Sequence, residues 1–439
     1  MERKYVIIFL LFVCFSNLNA QHTLTLQQCI DSALENNRQI KSQSLIKQER
    51  EIAYRQARQN LLPGLNAGAS QNFSFGRSID ASNTYQSDNS IQTSFNVSSN
   101  LTIFDGLKMK YSIDARKAEM HASQADLEKI KDDITLAVNA AFLEVLMNKE
   151  LLQIAQEQLE ITQQNVERQK ILLKSKKITE GDLYELLAQE SKENLRCIEA
   201  DNNLKISLLN LAQIIELSPQ NPPHGDFDFD IIAPDDLSNN LVLLSIETVY
   251  ENALKNRPEI KSAEYRLQSS KKNVLIARSD YYPTLSLEAN FGTSYFNLEN
   301  MQNQPFEKQL SKNLSSSVGL SLSIPVFNRF YVSNRVKSAK LEVKSSELNK
   351  DNARAELYKT IQQACLNANA AKSRWDATIK SETAAREAYR FALQKFETGR
   401  TSQYELFQAK SFLMQALSEK AQAKYEYFFR LKIVAIYNH

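Results

Sequence analysis

The sequence predicts an internally duplicated membrane protein of the α+β class, in which each half supplies two membrane β-strands and a long coiled-coil helix. Three observations predict this class. A stretch from about Phe330 to Phe396 contains neither proline nor glycine and repeats apolar residues at alternating steps of three and four, as in a coiled coil. Four shorter segments alternate apolar and small polar residues with a period of two. The halves also match at a constant offset, so that Ala33 corresponds to Ala253.

Composition favours an elongated protein over several compact domains. The 439 residues include 9 glycines and 9 prolines, and 24% of the residues are charged. Positive and negative charges nearly cancel at a formal net charge of +2, which argues against a general electrostatic attraction to nucleic acid. The sequence has no internal run of about 18 apolar residues, so it predicts no membrane-spanning helix.

The first 20 residues have the pattern of a secretory signal peptide. Two basic residues precede a continuous apolar run, Tyr5–Phe15, and the segment then becomes polar and ends at the small residue Ala20. We therefore expect cleavage after Ala20. Cys14 raises the alternative of a lipid-anchored N-terminus, but Phe12 and Val13 are bulky where a lipoprotein signal requires small residues.

The sequence predicts no catalytic, cofactor or metal site. Cys29, Cys197 and Cys365 of the mature chain lie far apart in helical patterns and do not form a disulfide framework. The four histidines have no metal-ligand spacing, and no phosphate-binding loop or nucleophile motif occurs. We therefore expect no cofactor and no enzymatic activity.

Two repeats account for the mature chain. The sequence LTLQQCIDSALEN at Leu24–Asn36 recurs as LSIETVYENALKN at Leu244–Asn256, and Tyr184–Leu186 recurs as Tyr404–Leu406 with the same offset. In each repeat the pattern predicts a short helix, a longer helix ending at a proline, two strands, a long helix, a tight turn and a return helix.

The predicted elements have approximate bounds. The first repeat, residues 21–216, is expected to have strands at about 64–76 and 91–104, a long helix at about 107–174 and a return helix at about 181–216. Residues 217–245 are expected to link the repeats. The second repeat, residues 246–439, is expected to have strands at about 284–296 and 314–327, a long helix at about 330–396 and a return helix at about 402–437.

The four alternating segments are predicted to be membrane strands. Their apolar face is expected to contact lipid through Phe95, Val97, Leu101, Leu285, Leu287, Leu320, Leu322 and Ile324. The alternative is a soluble antiparallel sheet packed on a helix, which is weakened by the occurrence of four such strands in a secreted chain. Polar loops are expected at Arg77–Ser90 and Asn297–Lys312, and Asp226–Asp230 in the linker is a candidate edge strand.

The long helices are predicted to pack through alanine-rich seams. In the second repeat, Leu357, Ala364, Ala368 and Ala371 share one stripe, and Glu382 is its charged interruption. At about 1.5 Å per residue, such a helix would be about 100 Å long, which is more than a compact domain requires. Taken alone, these helices would favour a cytoplasmic coiled coil or a spectrin-like bundle.

Four membrane strands cannot close a barrel, because well-filled barrels need about eight. Open sheet edges are not tolerated in lipid, so several copies must share one barrel. Two copies would give eight strands with little lumen, and three would give twelve with an aqueous bore. Together with the signal peptide, this predicts a bacterial outer-membrane protein whose long helices lie in the periplasm.

These features, in this order, resemble the TolC family of outer-membrane efflux proteins. The resemblance covers essentially the whole mature chain and rests on ALENN and ALKNRPEIKSA, Pro63 and Pro283 before the strands, Phe104–Gly106, Ile324–Asn328, and Phe396–Thr401 followed by Tyr404–Leu406. It implies a homotrimer in which a twelve-stranded barrel in outer-membrane lipid is continued by a twelve-helix periplasmic tunnel. It also implies docking to a periplasmic adaptor protein and an inner-membrane pump.

The resemblance implies a passive channel of a tripartite efflux or type I secretion system, with energy supplied by the pump and no nucleic-acid partner. The alternative is a non-conducting, structural coiled-coil protein of the envelope, which would explain the long helices but not the four strands. The family's extended C-terminal tail has no counterpart after the last helix, so we expect any belt around the tunnel to be small and built mainly from residues 217–245.

The turns that follow the long helices are candidate adaptor-docking tips. The candidate residues are Lys176, Lys177, Thr179, Gly181 and Asp182 in the first turn and Phe396, Thr398, Gly399, Arg400 and Thr401 in the second.

Glu405 and its repeat-equivalent Glu185 are candidate entrance-gate residues. The resemblance places Glu405 where the family narrows the tunnel with an acidic ring, although the second acid expected one turn later is Gln408 here. Three copies at a constriction would attract cations and repel anions. The alternative is that each glutamate only stabilises the start of a return helix, where the helix dipole favours negative charge. The sequence leaves both roles open.

Overall fold

The computed structural model describes residues 22–79, 83–87, 89–176, 178–217, 229–232, 245–299 and 302–438. The chain divides into two compact units, each with segments from both repeats. The helical unit comprises Met1–Ser44, Leu127–Pro258 and Arg354–His439, and the sheet unit comprises Leu45–Asp126 and Glu259–Ala353. The duplication of the sequence therefore does not coincide with the division into units.

The two repeats place similar elements in a similar order. The first repeat and the linker contain β1 (His22–Leu24), α1 (Leu26–Asn36), α2 (Arg38–Gln59), β2 (Gly64–Ser74), β3 (Arg77–Ile79), β4 (Tyr85–Ser87), β5 (Ser90–Phe104), α3 (Lys108–Lys174), α4 (Glu180–Ile214) and β6 (Phe229–Ile231). The second repeat contains α5 (Ile246–Asn256), α6 (Pro258–Ser279), β7 (Thr284–Leu298), α7 (Phe306–Lys312), β8 (Ser315–Ser323), α8 (Tyr331–Glu397) and α9 (Gln403–Asn438).

Equivalent N-caps start the first helix of each repeat. The Thr25 side chain accepts a hydrogen bond from the backbone N–H of Gln28, and the Gln28 side chain accepts one from the backbone N–H of Thr25, which completes a capping box. Ser245 occupies the equivalent position before α5 and accepts a hydrogen bond from the backbone N–H of Thr248 at 3.2 Å. The repeat is therefore preserved in the local chemistry that starts these helices.

The sheet unit contains a four-stranded antiparallel sheet with the order β2-β5-β7-β8. The central pair, β5 and β7, joins the two repeats and runs in register from Ser90 opposite Leu298 to Phe104 opposite Leu285, with a register shift between Thr102 and Phe104. Within the described residues, β2 pairs only with β5 and β8 pairs only with β7, so each outer strand has one unpaired edge. The sheet therefore has two free edges within one chain.

Two strands end earlier than the sequence predicted. β8 ends at Ser323, so Ile324, which the sequence analysis placed on the lipid-facing strand, lies beyond it. Pro325 explains this end, because proline cannot donate a ladder hydrogen bond. β2 likewise ends at Ser74 rather than 76.

The segments predicted as loops contain short elements. The first includes the hairpin β3–β4, and the second includes helix α7. The Gln309 side chain of α7 bonds both the N–H and the C=O of Phe296, and Asn313 donates to the C=O of Ser294. These side chains bond to the part of β7 that extends beyond its pairing with β8, which ends at Gly292. Polar composition alone did not reveal that side chains of this loop would bond to the backbone of β7 where β8 no longer pairs with it.

The candidate edge strand in the linker is observed where it overlaps the described residues. The observed strand β6 pairs in parallel with β1, with Phe229 opposite His22. Residues 226–228 of the predicted strand lie outside the described residues. Lys149 of α3 binds both carboxylate oxygens of Asp230 at 2.7 Å and so attaches this small sheet to α3.

The core of the helical unit forms where α1 and α4 pack on the middle of α3. Val138, Phe142 and Val145 of α3 are almost fully buried there with Cys29 of α1 and Leu211 of α4. Burial raises the pKa of the Cys29 thiol to about 11, so the side chain stays a neutral, apolar thiol. This cluster fixes the short first helix to the long one.

The predicted seam of α8 is buried. Leu357, Ile361, Ala364, Ala368 and Ala371 are all inaccessible or nearly so, whereas Lys372 beside them is exposed. The alternation of three and four therefore identified the packed stripe correctly. Within the described residues, no helix carries a stretch long and apolar enough to cross a membrane.

Unusual backbone marks the junctions between the sheet and the long helices in the sheet unit. Gly106 and Leu107 before α3 both have φ of 69°, and Arg329 and Phe330 before α8 have φ of 52° and 62°. The Ser279 hydroxyl donates to the C=O of Gly106 at 2.9 Å. A β-carbon at Gly106 would come within 2.8 Å of the Ser279 carbonyl oxygen. Glycine is needed at the first junction for both conformation and space.

Gly106→Ala is expected to lower the free energy of unfolding by about 2 kcal/mol, because alanine combines a strained φ with a backbone clash. Arg329→Gly is the matched control, since it removes a side chain from left-handed backbone and should leave stability unchanged or raise it by up to about 1 kcal/mol. Thermal unfolding of the purified proteins in detergent, at one scan rate, measures both. Equal losses in the two variants would contradict the proposed role of Gly106.

Candidate functional site

The first tip turn is closed by a capping box at the start of α4. Asp182 accepts hydrogen bonds from the backbone N–H and the hydroxyl of Thr179 at 3.0 Å and 2.8 Å, and its own N–H donates to the Thr179 hydroxyl. These bonds hold the pKa of Asp182 below its usual value. Gly181 lies in the first turn of α4, and Lys176 has left-handed backbone with φ of 53°. Lys177 lies outside the described residues.

The second tip turn uses a Schellman motif at the end of α8. Gly399 has φ of 70° and donates its N–H to the C=O of Phe396, while the N–H of Arg400 donates to the C=O of Lys395. The Thr398 hydroxyl donates to the last turn of the helix, at 3.0 Å to the C=O of Lys395. The two tips are thus closed by different hydrogen-bond patterns.

The structure brings the two tips together within the helical unit. The Gln403 side chain at the start of α9 donates to the C=O of Asp182 at 3.2 Å. Arg168 of α3 lies 4.0 Å from the carboxylate of Glu397 at the end of α8. The candidate docking residues of the two turns are therefore parts of one surface.

The candidate gate residues are exposed, and Glu405 makes local contacts. Its backbone N–H donates to the Ser402 hydroxyl at 3.3 Å, and its carboxylate accepts a hydrogen bond from the Thr401 hydroxyl. These are contacts of a residue in the first turn of a helix, and they support the capping alternative. Glu185 is also exposed, but it is the sixth residue of α4 and lies beyond the first turn, whose acidic residues are Glu180 and Asp182. A role of either glutamate in a gate remains a prediction.

A buried group of charges lies farther along the same helices. Lys410 of α9 and Glu193 of α4 are 5% and 3% exposed, and the Lys410 Nζ lies 3.1 Å from the Glu193 carboxylate. Lys410 also donates to the Gln158 carbonyl oxygen at 3.0 Å and to the Thr162 hydroxyl, both on α3. Burial lowers the pKa of Lys410, and the adjacent Glu193 carboxylate acts against that shift.

Sequence reasoning missed this cluster, although a signal was present. Lys410 follows the buried Leu406 by four residues and precedes the buried Leu413 by three, so it lies on the packed stripe of α9. Glu193 follows the buried Leu186 by seven residues on α4. A single charge at a seam position is normally read as an interruption, and its partner on another helix cannot be identified from one sequence.

Glu382 is a second buried charge on a packed helix stripe, and it too is paired with charges of the opposite sign. This carboxylate is buried on the seam of α8, where burial opposes its ionisation, but Arg386 and Lys420 outweigh burial and hold its pKa below the usual value. The Arg386 guanidinium lies 2.6 Å from one oxygen and the Lys420 Nζ 3.5 Å from the other. The charged interruption predicted from the sequence is therefore a buried, paired residue.

The strand residues predicted to face lipid form apolar rows across the sheet. Leu101, Leu287 and Leu320 lie opposite one another on β5, β7 and β8, and Leu285 lies opposite Leu322. Leu320 and Leu322 are 67% and 60% exposed.

The two predicted positions on β5 that remain belong to the same face, and the row beside it is polar. Phe95 and Val97 on β5 are also exposed. Thr102, Ser286 and Ser321 form the next row across the three strands. One sheet therefore carries alternating apolar and polar rows.

The sequence matches the family described as "Outer membrane efflux protein" over residues 29–215 and 249–428. This chain belongs to the outer membrane efflux protein family. The two matched segments correspond to the two repeats, and family membership confirms the resemblance to TolC and the outer-membrane location. In the described residues, no group of three or more His, Cys, Asp or Glu side chains is placed to hold a metal ion.

Known relatives share modest sequence identity with the chain. It is 24% identical over 310 residues to Protein CyaE of Bordetella pertussis, an alignment that covers 69% of this chain and 62% of CyaE. It is also 24% identical over 382 residues to Outer membrane protein TolC of Escherichia coli K12, covering 85% of this chain and 73% of TolC. The chain therefore spans less than two thirds of the length of CyaE.

The fold agrees with solved outer-membrane proteins. The structure of the outer membrane protein VceC from Vibrio cholerae superposes with a TM-score of 0.75 and 15% sequence identity, covering 94% of this chain and 96% of VceC. At this identity the similarity establishes the fold.

The second tip should depend on glycine, and the first should not. Gly399→Ala is expected to destabilise the second turn by about 1 kcal/mol, because alanine is strained at positive φ. Gly181→Ala, the matched control, lies in helical backbone of α4 and should leave its tip unchanged or stabilise it by a similar amount. Hydrogen–deuterium exchange of peptides covering residues 178–186 and 396–406 would reveal both effects. Unchanged exchange at the second tip of the Gly399 variant would refute the Schellman assignment.

Proposed function

We propose that this chain is the outer-membrane channel of a tripartite efflux or type I secretion system. It passively conducts exported substrates from a periplasmic adaptor and an inner-membrane pump to the cell exterior. Three copies share a twelve-stranded barrel, and their helices form a periplasmic tunnel. The single observation that carries the proposal is a four-stranded sheet with an exposed apolar face and two free edges.

The free edges support a shared barrel. In lipid, the unpaired N–H and C=O groups of β2 and β8 would each cost several kcal/mol, because no water is present to bond them. Pairing β8 of one copy with β2 of the next satisfies both edges, and repetition of this contact closes a ring. Three copies give twelve strands, enough for an aqueous bore, whereas two give a barrel filled by side chains.

The alternation of rows supports the orientation of the sheet. The leucine row through Leu101, Leu287 and Leu320 suits acyl chains, and the hydroxyl row through Thr102, Ser286 and Ser321 suits a water-filled lumen. The alternative function, a non-conducting coiled-coil protein, accounts for α3 and α8, which have 67 residues each. It leaves the apolar rows without a role, since nothing in an aqueous compartment would cover them.

The tips provide the surface for the adaptor. The helices α3 and α8 each begin close after a strand of the sheet, and the tip turns follow their opposite ends. At about 1.5 Å per residue, a helix of 67 residues is about 100 Å long, so a tip at its end can meet a periplasmic partner. The contact between Gln403 and Asp182 supports the proposal that each pair of tips forms one docking surface.

Recordings from planar lipid bilayers test the function directly. The purified protein should produce discrete, stable conductance steps without any added energy source. If the chain is instead a non-conducting structural protein, it should assemble in detergent and insert into the bilayer without producing conductance. That result would overturn the channel proposal.

A charge on the lipid-facing row should be harmful, and a charge on the polar row should not. Leu322→Arg is expected to cost about 2–4 kcal/mol near the bilayer midplane and to reduce the amount of assembled protein in the outer membrane. Ser321→Arg, one residue away, should assemble normally and alter conductance. Membrane fractionation followed by native electrophoresis measures assembly, and equal damage from both variants would disprove the assignment of faces.

The gate and capping roles of Glu405 predict different recordings. If three copies of Glu405 surround a constriction, Glu405→Gln should lower the preference for cations and the block by multivalent cations. If Glu405 only stabilises the start of α9, the variant should conduct like the wild type and lose a few tenths of a kcal/mol of stability. Recordings at low ionic strength, where screening is weakest, separate the two outcomes. Glu185→Gln tests the equivalent residue in the same way.

A further inference from the structure

We propose that the helix-side end of the four-stranded sheet binds the headgroups of anionic phospholipids through a collar of basic residues. This basic collar comprises residues 52–63, 105–117, 271–282 and 324–341, the four places in the sheet unit where strands and helices meet. Its ligand is the phosphate of a lipid in the periplasmic leaflet of the outer membrane. The inference rests on the proposed position of the sheet in lipid.

The pairing of the strands places all four parts of the basic collar at one end of the sheet. Thr284 at the start of β7 lies opposite Ser323 at the end of β8. Leu285 lies opposite Phe104 at the end of β5, and β2 begins opposite the last third of β5. The helices that precede β2 and β7 and those that follow β5 and β8 therefore all meet the sheet at the same end.

The basic collar concentrates a positive charge that the chain as a whole lacks. It contains 13 Lys and Arg residues and 3 Asp residues, a formal net charge of +10, whereas the whole chain has +2. The connections at the other end of the sheet, residues 75–89 and 299–314, contain 3 basic and 4 acidic residues. The two ends of the sheet therefore differ in charge, and only the helix-side end suits an anionic membrane surface.

Some of these cations hold the helices together, and others are available to a ligand. Asp280 accepts hydrogen bonds from Lys108 of α3 at 2.7 Å and from Arg335 of α8, which ties both helices to the end of α6. Three further cations at the start of α8 are exposed and form no ion pair within the described residues: Arg329, Lys337 and Lys340. A headgroup can bind these three without breaking a contact of the fold.

The order of side chains from β8 into α8 matches the layers of a bilayer. The apolar row at Leu322 is followed by exposed aromatic rings at Phe327, Phe330 and Tyr331, and the first two rings lie 5.8 Å apart. Aromatic rings at the ends of membrane strands lie at the level of the lipid headgroups. The cations begin among these rings and continue to Lys340, about 14 Å along the helix, so they lie beside the lipid phosphates.

An open depression of about 800 Å³ beside the start of α8 provides a position for one headgroup. Its lining includes two guanidinium groups, two amides and two aromatic rings, those of Arg329, Arg335, Asn328, Asn334, Phe327 and Tyr331. Guanidinium groups bind phosphate oxygens in pairs, and amide N–H groups add further donors. The rings can contact the glycerol and the first methylene groups of the same lipid.

Lipid titration of the intact, delipidated protein in a neutral detergent tests the collar. The probes are short-chain phosphatidylglycerol, phosphatidylcholine of the same chain length and inorganic phosphate, and the shift of the thermal unfolding midpoint gives an apparent Kd for each. Phosphatidylglycerol should bind about tenfold more tightly than phosphatidylcholine at low ionic strength, and high salt should abolish the difference. Equal binding of the two lipids, or stabilisation by inorganic phosphate alone, would overturn the assignment to a lipid.

A variant of the three available cations locates the binding surface. Arg329→Gln/Lys337→Gln/Lys340→Gln should unfold at the wild-type temperature without lipid, because no ion pair of the described residues is lost. It should bind phosphatidylglycerol about tenfold more weakly and phosphatidylcholine unchanged. Wild-type affinity for phosphatidylglycerol in this variant would refute the proposal. If the variant fails to assemble, the preference of the wild type between the two lipids, and its loss at high salt, still decide the outcome.

A matched control removes the same charge from exposed positions in the helical unit. Lys372→Gln/Lys380→Gln/Lys432→Gln should bind both lipids as the wild type does. Equal weakening by the two triple variants would show that net charge alone governs binding, and it would overturn the collar.

Recordings of the same wild-type preparation in bilayers separate the collar from the channel function. A protein that conducts without preferring the anionic lipid overturns the collar and leaves the channel proposal intact. A protein that prefers the anionic lipid but does not conduct overturns the channel proposal and supports the collar.

Discussion

The free edges of the four-stranded sheet are the constraint on which the rest of the molecule depends. Within the described residues, a single chain leaves the outer edges of β2 and β8 unpaired and presents rows of leucine to its surroundings. In water these rows would favour aggregation, and in lipid the edges would be too costly. The proposed assembly, in which copies of the chain close a ring in a membrane, would solve both problems together. Duplication supplies the two inner strands, because β5 of one repeat pairs with β7 of the other.

The helices meet a different constraint, since long helices packed through alanine have little apolar area with which to fix their positions. Ala364, Ala368 and Ala371 allow close approach but carry small side chains. Buried charges such as Glu382 and Lys410 provide directional contacts on the same stripes. Buried ion pairs contribute little net stability compared with apolar residues, but a missing partner is costly. They are therefore suited to selecting one arrangement of helices.

Much of the fold could be predicted from the sequence because two periods are local properties. Period two identified the strands, and the alternation of three and four identified the buried stripe of α8. Prediction failed where a non-local partner decides the outcome. The Gln309 side chain bonds to the backbone of Phe296 only because β7 extends beyond its pairing with β8. Phe142 is buried because α1 and α4 cover α3 from another side. The tip turns were predictable from Gly399 and Thr179, whereas the Lys410 cluster required knowledge of which helices touch.

Divergence between the repeats gives the two tips different chemistry on one scaffold. Thr179 and Asp182 close the first with a side-chain capping box, and Gly399 closes the second with the backbone hydrogen bonds of a Schellman motif. In a capping box the carboxylate and hydroxyl form hydrogen bonds within the turn. The Schellman motif uses backbone groups, so it does not require the side chain of a neighbour such as Arg400. In a trimer, six tips would then alternate between two kinds. In the proposed assembly a ring-shaped adaptor would meet three sites of each kind, and its binding would have to tolerate both chemistries or distinguish between them.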